Sequence, residues 1–184
     1  MASPIHSRSD GVFVIAATPF TESGAIDLDS IDTLTDFYLS FGIDGLTIMG
    51  IMGEAQKLSQ DESLAVMQRF LQRVDGRVPV IVFAKGAHGS LANLLSLNAQ
   101  VLGMDWTVDL TQVRRQLPAA VGVQGNLDPF LLTTNPGAVR TGTGRILEEM
   151  RGWKGHIFNL GHGVTPGAKL ECIEALVDTV RSFR

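Results

Sequence analysis

Short apolar runs alternate along this chain with segments of helical periodicity, and that alternation limits its possible folds more than any other feature. Gly11-Val-Phe-Val-Ile-Ala-Ala17 is continuously apolar and stops at Thr18-Pro19. A run with no polar alternation suits a strand covered on both faces, as in parallel sheets. A helix follows, with Asp27 or Asp29 as its N-cap, apolar residues at Ile31, Leu34, Tyr38 and Phe41, and Gly42 as its stop. The pattern then repeats. Gly45–Met49 reads as a strand, Gly50–Glu54 as its loop, and Ser59-Gln-Asp-Glu62 as a capping box. The helix behind that box shows Leu64, Met67, Leu71 and Val74 on one face. Val78–Ala84 predicts a third strand, with Pro79 tolerable at its start. A weaker helix from Ser90 to about Leu97 follows, then a strand at Val101–Met104 and a helix near Leu110–Leu117. Val121–Gln124 predicts a fifth strand. Asn135-Pro136 opens a helix as N-cap and first residue, and Gly142 and Gly144 weaken its first half. His156–Asn159 predicts a sixth strand, and Leu170, Ile173, Leu176, Val177 and Val180 mark the last helix. Six βα units of roughly 30 residues each imply an α/β domain with helices outside a parallel sheet.

The chain of 184 residues is 45% hydrophobic and 18% charged, which suits one packed domain. The formal charge of −4 comes without a basic cluster, so nucleic acid is not an expected partner. No apolar run reaches the length needed to span a bilayer. Residues 1–10 are polar and read as a flexible leader rather than a signal peptide. Cys172 is the single cysteine and has no partner for an internal disulfide. A reducing, cytoplasmic setting is the expectation.

In parallel α/β folds ligands bind where the strands end. The polar residues at those positions are Thr18 after the first strand, and Gly50, Gly53 and Glu54 after the second. Lys85 and His88 follow the third strand, and Asp105 and Trp106 the fourth. Gln124, Asn126 and Asp128 follow the fifth, and Asn159 and His162 the sixth. The plain alternative is that Asp, Asn and Gly are ordinary turn residues, with Asp105 and Asp128 capping the next helices. Lys85 has the chemistry to form a Schiff base with a carbonyl, although an exposed lysine needs no such role. His88, His156, His162 and Asp105 lack the spacing of a metal-ligand motif, so neither a metal nor a cofactor is expected. The turns Gly50–Gly53 and Gly161–Gly163 could offer backbone N–H groups to an anion, but neither matches a phosphate-loop or dinucleotide pattern.

Two stretches carry more specific patterns. Thr18-Pro-Phe20, the segment Gly24–Asp29, and Gly50-Ile-Met-Gly53-Glu54 followed by Leu58-Ser59 make residues 11 to about 82 resemble the dihydrodipicolinate synthase / N-acetylneuraminate lyase family. In that family the loop after the second strand usually reads Gly-Thr-Thr-Gly-Glu, and its hydroxyls bind a ketoacid carboxylate. Here Ile51 and Met52 stand at the two threonine positions. Val80-Ile-Val-Phe-Ala-Lys-Gly86, Gly103-Met-Asp-Trp-Thr107, Gln124-Gly-Asn-Leu-Asp-Pro129 and Asn159-Leu-Gly-His-Gly163 make residues 78–184 resemble uroporphyrinogen decarboxylase. His162 falls on that family's substrate-contacting histidine. The two resemblances meet on Val78–Val82.

Both families are (βα)8 barrels, so the fold expected is six parallel βα units. They would form either an incomplete barrel completed by oligomerisation, or a rewound open sheet of the flavodoxin-like class. The resemblances imply lost chemistry as well. The first family's late Schiff-base lysine and mid-barrel tyrosine are absent, since the only tyrosine, Tyr38, lies in the first helix. The second family's amino-terminal aspartate and arginines are absent too. The function expected is a recombined or engineered chain without efficient native catalysis. It would keep Thr18, Gly50, Gly53, Glu54, Gln124, Asn126, Asp128 and His162 as a vestigial substrate-binding set and no catalytic residue. A residual carbon–carbon lyase and a passive binder of carboxylate or phosphate are the alternatives. Open strand edges imply a homo-oligomer.

Overall fold

The structure is a computed structural model, and it describes residues 11–84, 91–97 and 99–183. Lys85 and His88, the leader 1–10 and the start of the third helix at Ser90 lie outside the described residues. Among the described residues six strands alternate with six α-helices. They are β1 (Phe13–Ile15), α1 (Leu28–Ser40), β2 (Gly45–Ile48), α2 (Gln60–Val74), β3 (Val80–Ala84), α3 (Leu91–Ser96), β4 (Val101–Met104), α4 (Leu110–Gln116), β5 (Gly122–Leu127), α5 (Pro136–Glu149), β6 (His156–Leu160) and α6 (Leu170–Ser182). The strands follow one another in the sheet in chain order, β1 to β6. β2 pairs in parallel with both β1 and β3. That order belongs to a (βα) barrel, whose strands are laid down one after another. A flavodoxin-like sheet places its first strand between the second and third, so the open rewound alternative does not occur. The chain divides into two compact units, the first carrying β1 to β3 and the second running from Gly103 onward.

In the first unit, alternation sorts the side chains. Leu46, Ile48, Val80 and Val82 share one face of the sheet by register and are 0–1% exposed. The opposite face is barer toward the edge strand: Ile81 is buried, whereas Ile15 on β1 is 52% exposed. Asp27 caps α1 by accepting from the Ser30 amide and hydroxyl. The capping box of α2 forms as read, with Ser59 Oγ accepting from Glu62 N and the Glu62 carboxylate accepting from Ser59 N.

The buried faces differ in phase from the predicted ones. On α2, Val66, Phe70 and Val74 are the deeply buried residues, while Leu64, Met67 and Leu71 flank them half-buried. On α1, Ile31 and Thr35 are buried and Phe41 is 71% exposed. Thr35 fits there because its hydroxyl donates to Ile31 O, 2.7 Å away. An acid row on α1 faces an arginine row on α2. Arg69 grips Asp32 through two bonds of 2.7 and 2.8 Å, and Arg73 holds Asp36 in the same two-pronged way. The Arg73 bond holds the Asp36 carboxyl below the usual carboxylate range.

In the second unit β5 and β6 pair in parallel over five residues, from Val123↔His156 to Leu127↔Leu160. A core of Leu132, Val139, Cys172 and Ala175 sits beside them, with Leu160, Ile173 and Leu176 packed around it. The buried face of α6 is therefore Cys172 and Ala175. Leu170, one of the apolar residues that mark this helix in the sequence, is 78% exposed at its first position. α5 is continuous through its two glycines. A Cβ on Gly142 would lie 2.7 Å from Leu131 Cδ1, so this glycine lets α5 approach its neighbours closely. Arg114, 4% exposed, donates to the carbonyls of Val121, Leu117 and Pro118 and thereby closes the turn between α4 and β5. Charge-assisted bonds to three carbonyls offset the burial of a guanidinium.

Candidate functional site

At the carboxyl ends of β1 and β2 the chain turns through residues that mostly satisfy one another. Thr18 is buried and its hydroxyl donates to Gly53 O at 2.7 Å. Two short 3₁₀ turns, Ile51–Gly53 and Ala55–Lys57, follow β2. Their amide bonds, Gly53 N to Gly50 O and Glu54 N to Ile51 O, are internal to the loop. Glu54 sits in the left-handed region at φ 50° and pairs with Lys57. Ile51 and Met52 are 49% and 59% exposed, so this rim presents two apolar side chains where the first resemblance has hydroxyls.

The second unit holds a denser polar knot. β5 runs on to Leu127, so Gln124 and Asn126 lie within the strand and not after it, as the sequence had suggested. Three further ladder positions pair with β6 beyond Gln124, and this pairing extends the strand past its apolar run. Asn126, 7% exposed, donates through Nδ2 to Asp105 O at 2.7 Å and to Val108 O at 2.8 Å. Asp105 is 2% exposed and accepts from both the amide and the hydroxyl of Thr107. It thus shapes the turn after β4, and the cap of α4 is Asp109, which accepts from Thr111 and Gln112. The Thr111 hydroxyl bond is the main reason the Asp109 carboxyl lies below its ordinary range. Asp128 does cap, accepting from Phe130 N at the head of the 3₁₀ turn Pro129–Thr133.

His162 follows β6 and lies half-buried with its ring edge-on to Trp106, centroids 5.8 Å apart. Gly161 makes this contact possible. A Cβ there would lie 2.3 Å from Trp106 N, inside the backbone of the turn after β4. The Asn159 side chain accepts from Leu160 N and takes no part in the knot. His156, at the start of β6, contacts Gly125 O at 2.9 Å through Nε2, and burial pushes its pKa below the ordinary histidine value. Among the described residues no cluster of His, Cys, Asp and Glu could hold a metal ion.

The structure therefore brings Asn126, Asp105, Trp106 and His162 together at the ends of β4 to β6. Thr18, Gly53 and Glu54 form a separate group in the first unit. Sequence reasoning named all of these residues. It missed Thr107 and Val108, whose hydroxyl and carbonyl complete the knot; their only signal was the position two or three residues after a strand-end aspartate.

Six parallel βα units in chain order, with polar side chains at the strand ends, define a chain of the (βα)-barrel class. The uroporphyrinogen decarboxylase (URO-D) family matches residues 56–183. A uroporphyrinogen decarboxylase of Pseudomonas fluorescens is 42% identical over 129 residues, covering 67% of this chain and 36% of that protein. The chain belongs to the uroporphyrinogen decarboxylase family. It spans less than half the length of the curated relatives it matches. In three dimensions it is similar to a dihydrodipicolinate synthase from Rhodopseudomonas palustris, with a TM-score of 0.61 and 27% identity, covering 97% of this chain and 61% of that one. It is also similar to an N-acetylneuraminate lyase from Mycoplasma synoviae, with a TM-score of 0.62 and 18% identity, covering 91% and 58%. Both families named by the sequence motifs are thus found, one among relatives and the other among structural neighbours. The family match begins before α2, a helix that the motifs had grouped with the first resemblance.

Proposed function

We propose that this chain is a recombined piece of two barrel enzymes, folded, with the fringes of two sites and no efficient turnover of either parent's substrate. One observation carries the reading: three of the rim's polar side chains are spent on the chain's own backbone. Thr18 serves Gly53, Asn126 serves Asp105 and Val108, and Asp128 serves Phe130. A side chain already bonded inside a turn stabilises that turn and offers little to a transition state. Tyr38 supports the reading as well, because it lies on α1 beside the Phe37 ring and not at a strand end. Removing the central catalytic groups of an enzyme typically costs many orders of magnitude in rate. Assays with uroporphyrinogen, and with pyruvate plus an aldehyde, are expected to show no turnover above background. Borohydride reduction in the presence of pyruvate is expected to leave Lys85 unmodified. Turnover in either assay, or an adduct on Lys85, would overturn the reading.

A second reading has one observation in its favour. No hydrogen bond joins the side chains of Gln124 or His162 to another described residue, so both keep donors for a carboxylate or phosphate. Calorimetry with acetate, pyruvate and inorganic phosphate tests this passive binding. Heat that disappears in His162→Ala supports it, and no heat from any of the three removes it.

The proposal extends to assembly. Among the described residues β1 pairs only with β2, and Val12 and Ile15 beside that edge are 63% and 52% exposed. Phe37 and Phe41 on α1, stacked edge to face, are 55% and 71% exposed. An open strand edge with exposed apolar side chains favours pairing with another copy of the chain.

A further inference from the structure

β1 and β6 are the two ends of the sheet, and among the described residues neither has a strand on its outer side. Strands of a parallel sheet are built to be covered on both faces, and the cover fails at both ends. Leu46 and Val80 are 1% exposed, whereas Val14, which continues their row by register, is half-buried. At the other end every residue of β6 is half-buried or exposed, while Val123 and Leu127 beside it on β5 are buried. A helix flank is left bare near each end. On α1, Asp32 and Asp36 face α2, and Ile31 and Thr35 are buried. Phe37 and Phe41, each five positions on from one of those acids, stand about 140° round the helix from them. That is the side away from α2. Since α2 leads to β3, it is also the side of the β1 edge. On α6, Cys172 and Ala175 are buried. Leu170, Ile173, Val177 and Val180, spaced by three, four and three, form a second apolar stripe. Leu170 is exposed and the other three are half-buried.

We propose that the β1 edge and the bare flank of α1 receive β6 and α6 of a second copy, so that chains join head to tail. The inference rests on the assembly proposed above and names its two surfaces. The second copy's β6 continues the parallel ladder outward from β1, and its α6 lies over Val12 and Val14 and against Phe37 and Phe41. A second β1 is a poorer occupant. Two β1 strands paired about a two-fold axis run antiparallel, which sends the last turns of the two α1 helices, and their phenylalanines, to opposite ends. The strand is three residues long, so that ladder would be short. Phe37 and Phe41, the largest members of the patch, are 55% and 71% exposed and supply on the order of 250 Å². A stable interface buries about 800 Å² on each side. In a closed head-to-tail assembly every chain contributes both of its edges, so each chain buries two patches instead of one.

The test is light scattering on two variants of the full chain, alone and mixed. Phe37→Lys with Phe41→Lys spoils the α1 flank, and Leu170→Glu with Val177→Glu spoils the α6 stripe. Each variant alone is expected to run as a monomer. An equimolar mixture is expected to return to the mass of the unmodified chain, because the intact α1 flank of one variant meets the intact α6 stripe of the other. The remaining contact then sets lysines against glutamates. Thermal melts show that the variants fold. Leu170→Glu alone, at an exposed position, keeps the test open if Val177→Glu does not fold, and is expected to lower the assembled fraction at equal concentration. An α6 variant that assembles like the unmodified chain, or a mixture of folded variants that stays monomeric, would overturn head-to-tail joining and leave assembly itself standing. An unmodified chain that is monomeric at every concentration would overturn both.

Discussion

Asn126 shows how a single side chain can resemble a ligand contact and still be fully used at home. Both of its amide hydrogens go to carbonyls of the turn after β4. Asn126→Ala leaves two carbonyls without a donor, so equilibrium denaturation is expected to show a loss of roughly 2–4 kcal/mol. Asn126→Asp should lose at least as much, since a carboxylate cannot donate. Gly161→Ala puts a methyl into the Trp106 backbone. A loss of about 2 kcal/mol is expected, together with a change in Trp106 fluorescence as the indole leaves His162. His156 gives a pH signature. Burial lowers its folded pKa below the unfolded value, so the unfolded chain binds the proton first as pH falls. Stability from this residue is complete above about pH 6.5, declines as pH drops toward the folded pKa, and levels off below it. Urea midpoints between pH 7.5 and 5 should show that decline, and His156→Gln should flatten it.

At the scale of elements, the α1–α2 pair is zipped by acids at Asp29, Asp32 and Asp36 facing arginines at Arg69, Arg73 and Arg77. Spacings of three or four residues keep each row on one helix face. Arg69→Met combined with Asp32→Asn in a double-mutant cycle is expected to give a coupling of roughly 0.5–1 kcal/mol, shrinking as salt is added. The helices were readable because their start signals are local. Ser59 and Asn135 cap where the residues said they would, and of the two candidates Asp27 and Asp29 it is Asp27 that caps α1. Their buried faces were less readable. Apolar residues at several adjacent phases, such as Leu64, Val66, Met67, Phe70, Leu71 and Val74, allow more than one choice of inward face. Only tertiary packing selects Val66, Phe70 and Val74. The end of β5 was misread for a related reason. Gln124-Gly-Asn126 carries no strand preference of its own, and pairing with β6 imposes the conformation.

At the scale of the whole molecule, the strand-end residues named from sequence divide into two local networks, one at Thr18–Gly53 and one around Asn126. Multi-angle light scattering across a concentration range is expected to show an oligomer, and Phe37→Lys with Phe41→Lys is expected to shift it toward the monomer. A monomer at every concentration would refute the assembly proposal. By itself the sequence determined what local chemistry determines. Apolar runs and helix caps settled the order and type of the elements, and two sets of short motifs pointed to two barrel families. Tertiary structure decided the rest. It chose sequential pairing of β1, β2 and β3 over a rewound order, because strand neighbours depend on how helices cover the sheet and not on any one strand's residues. It also decided that the polar rim is mostly bonded to its own backbone, since a hydrogen bond's partner is set by a distance that no spacing along the chain reports.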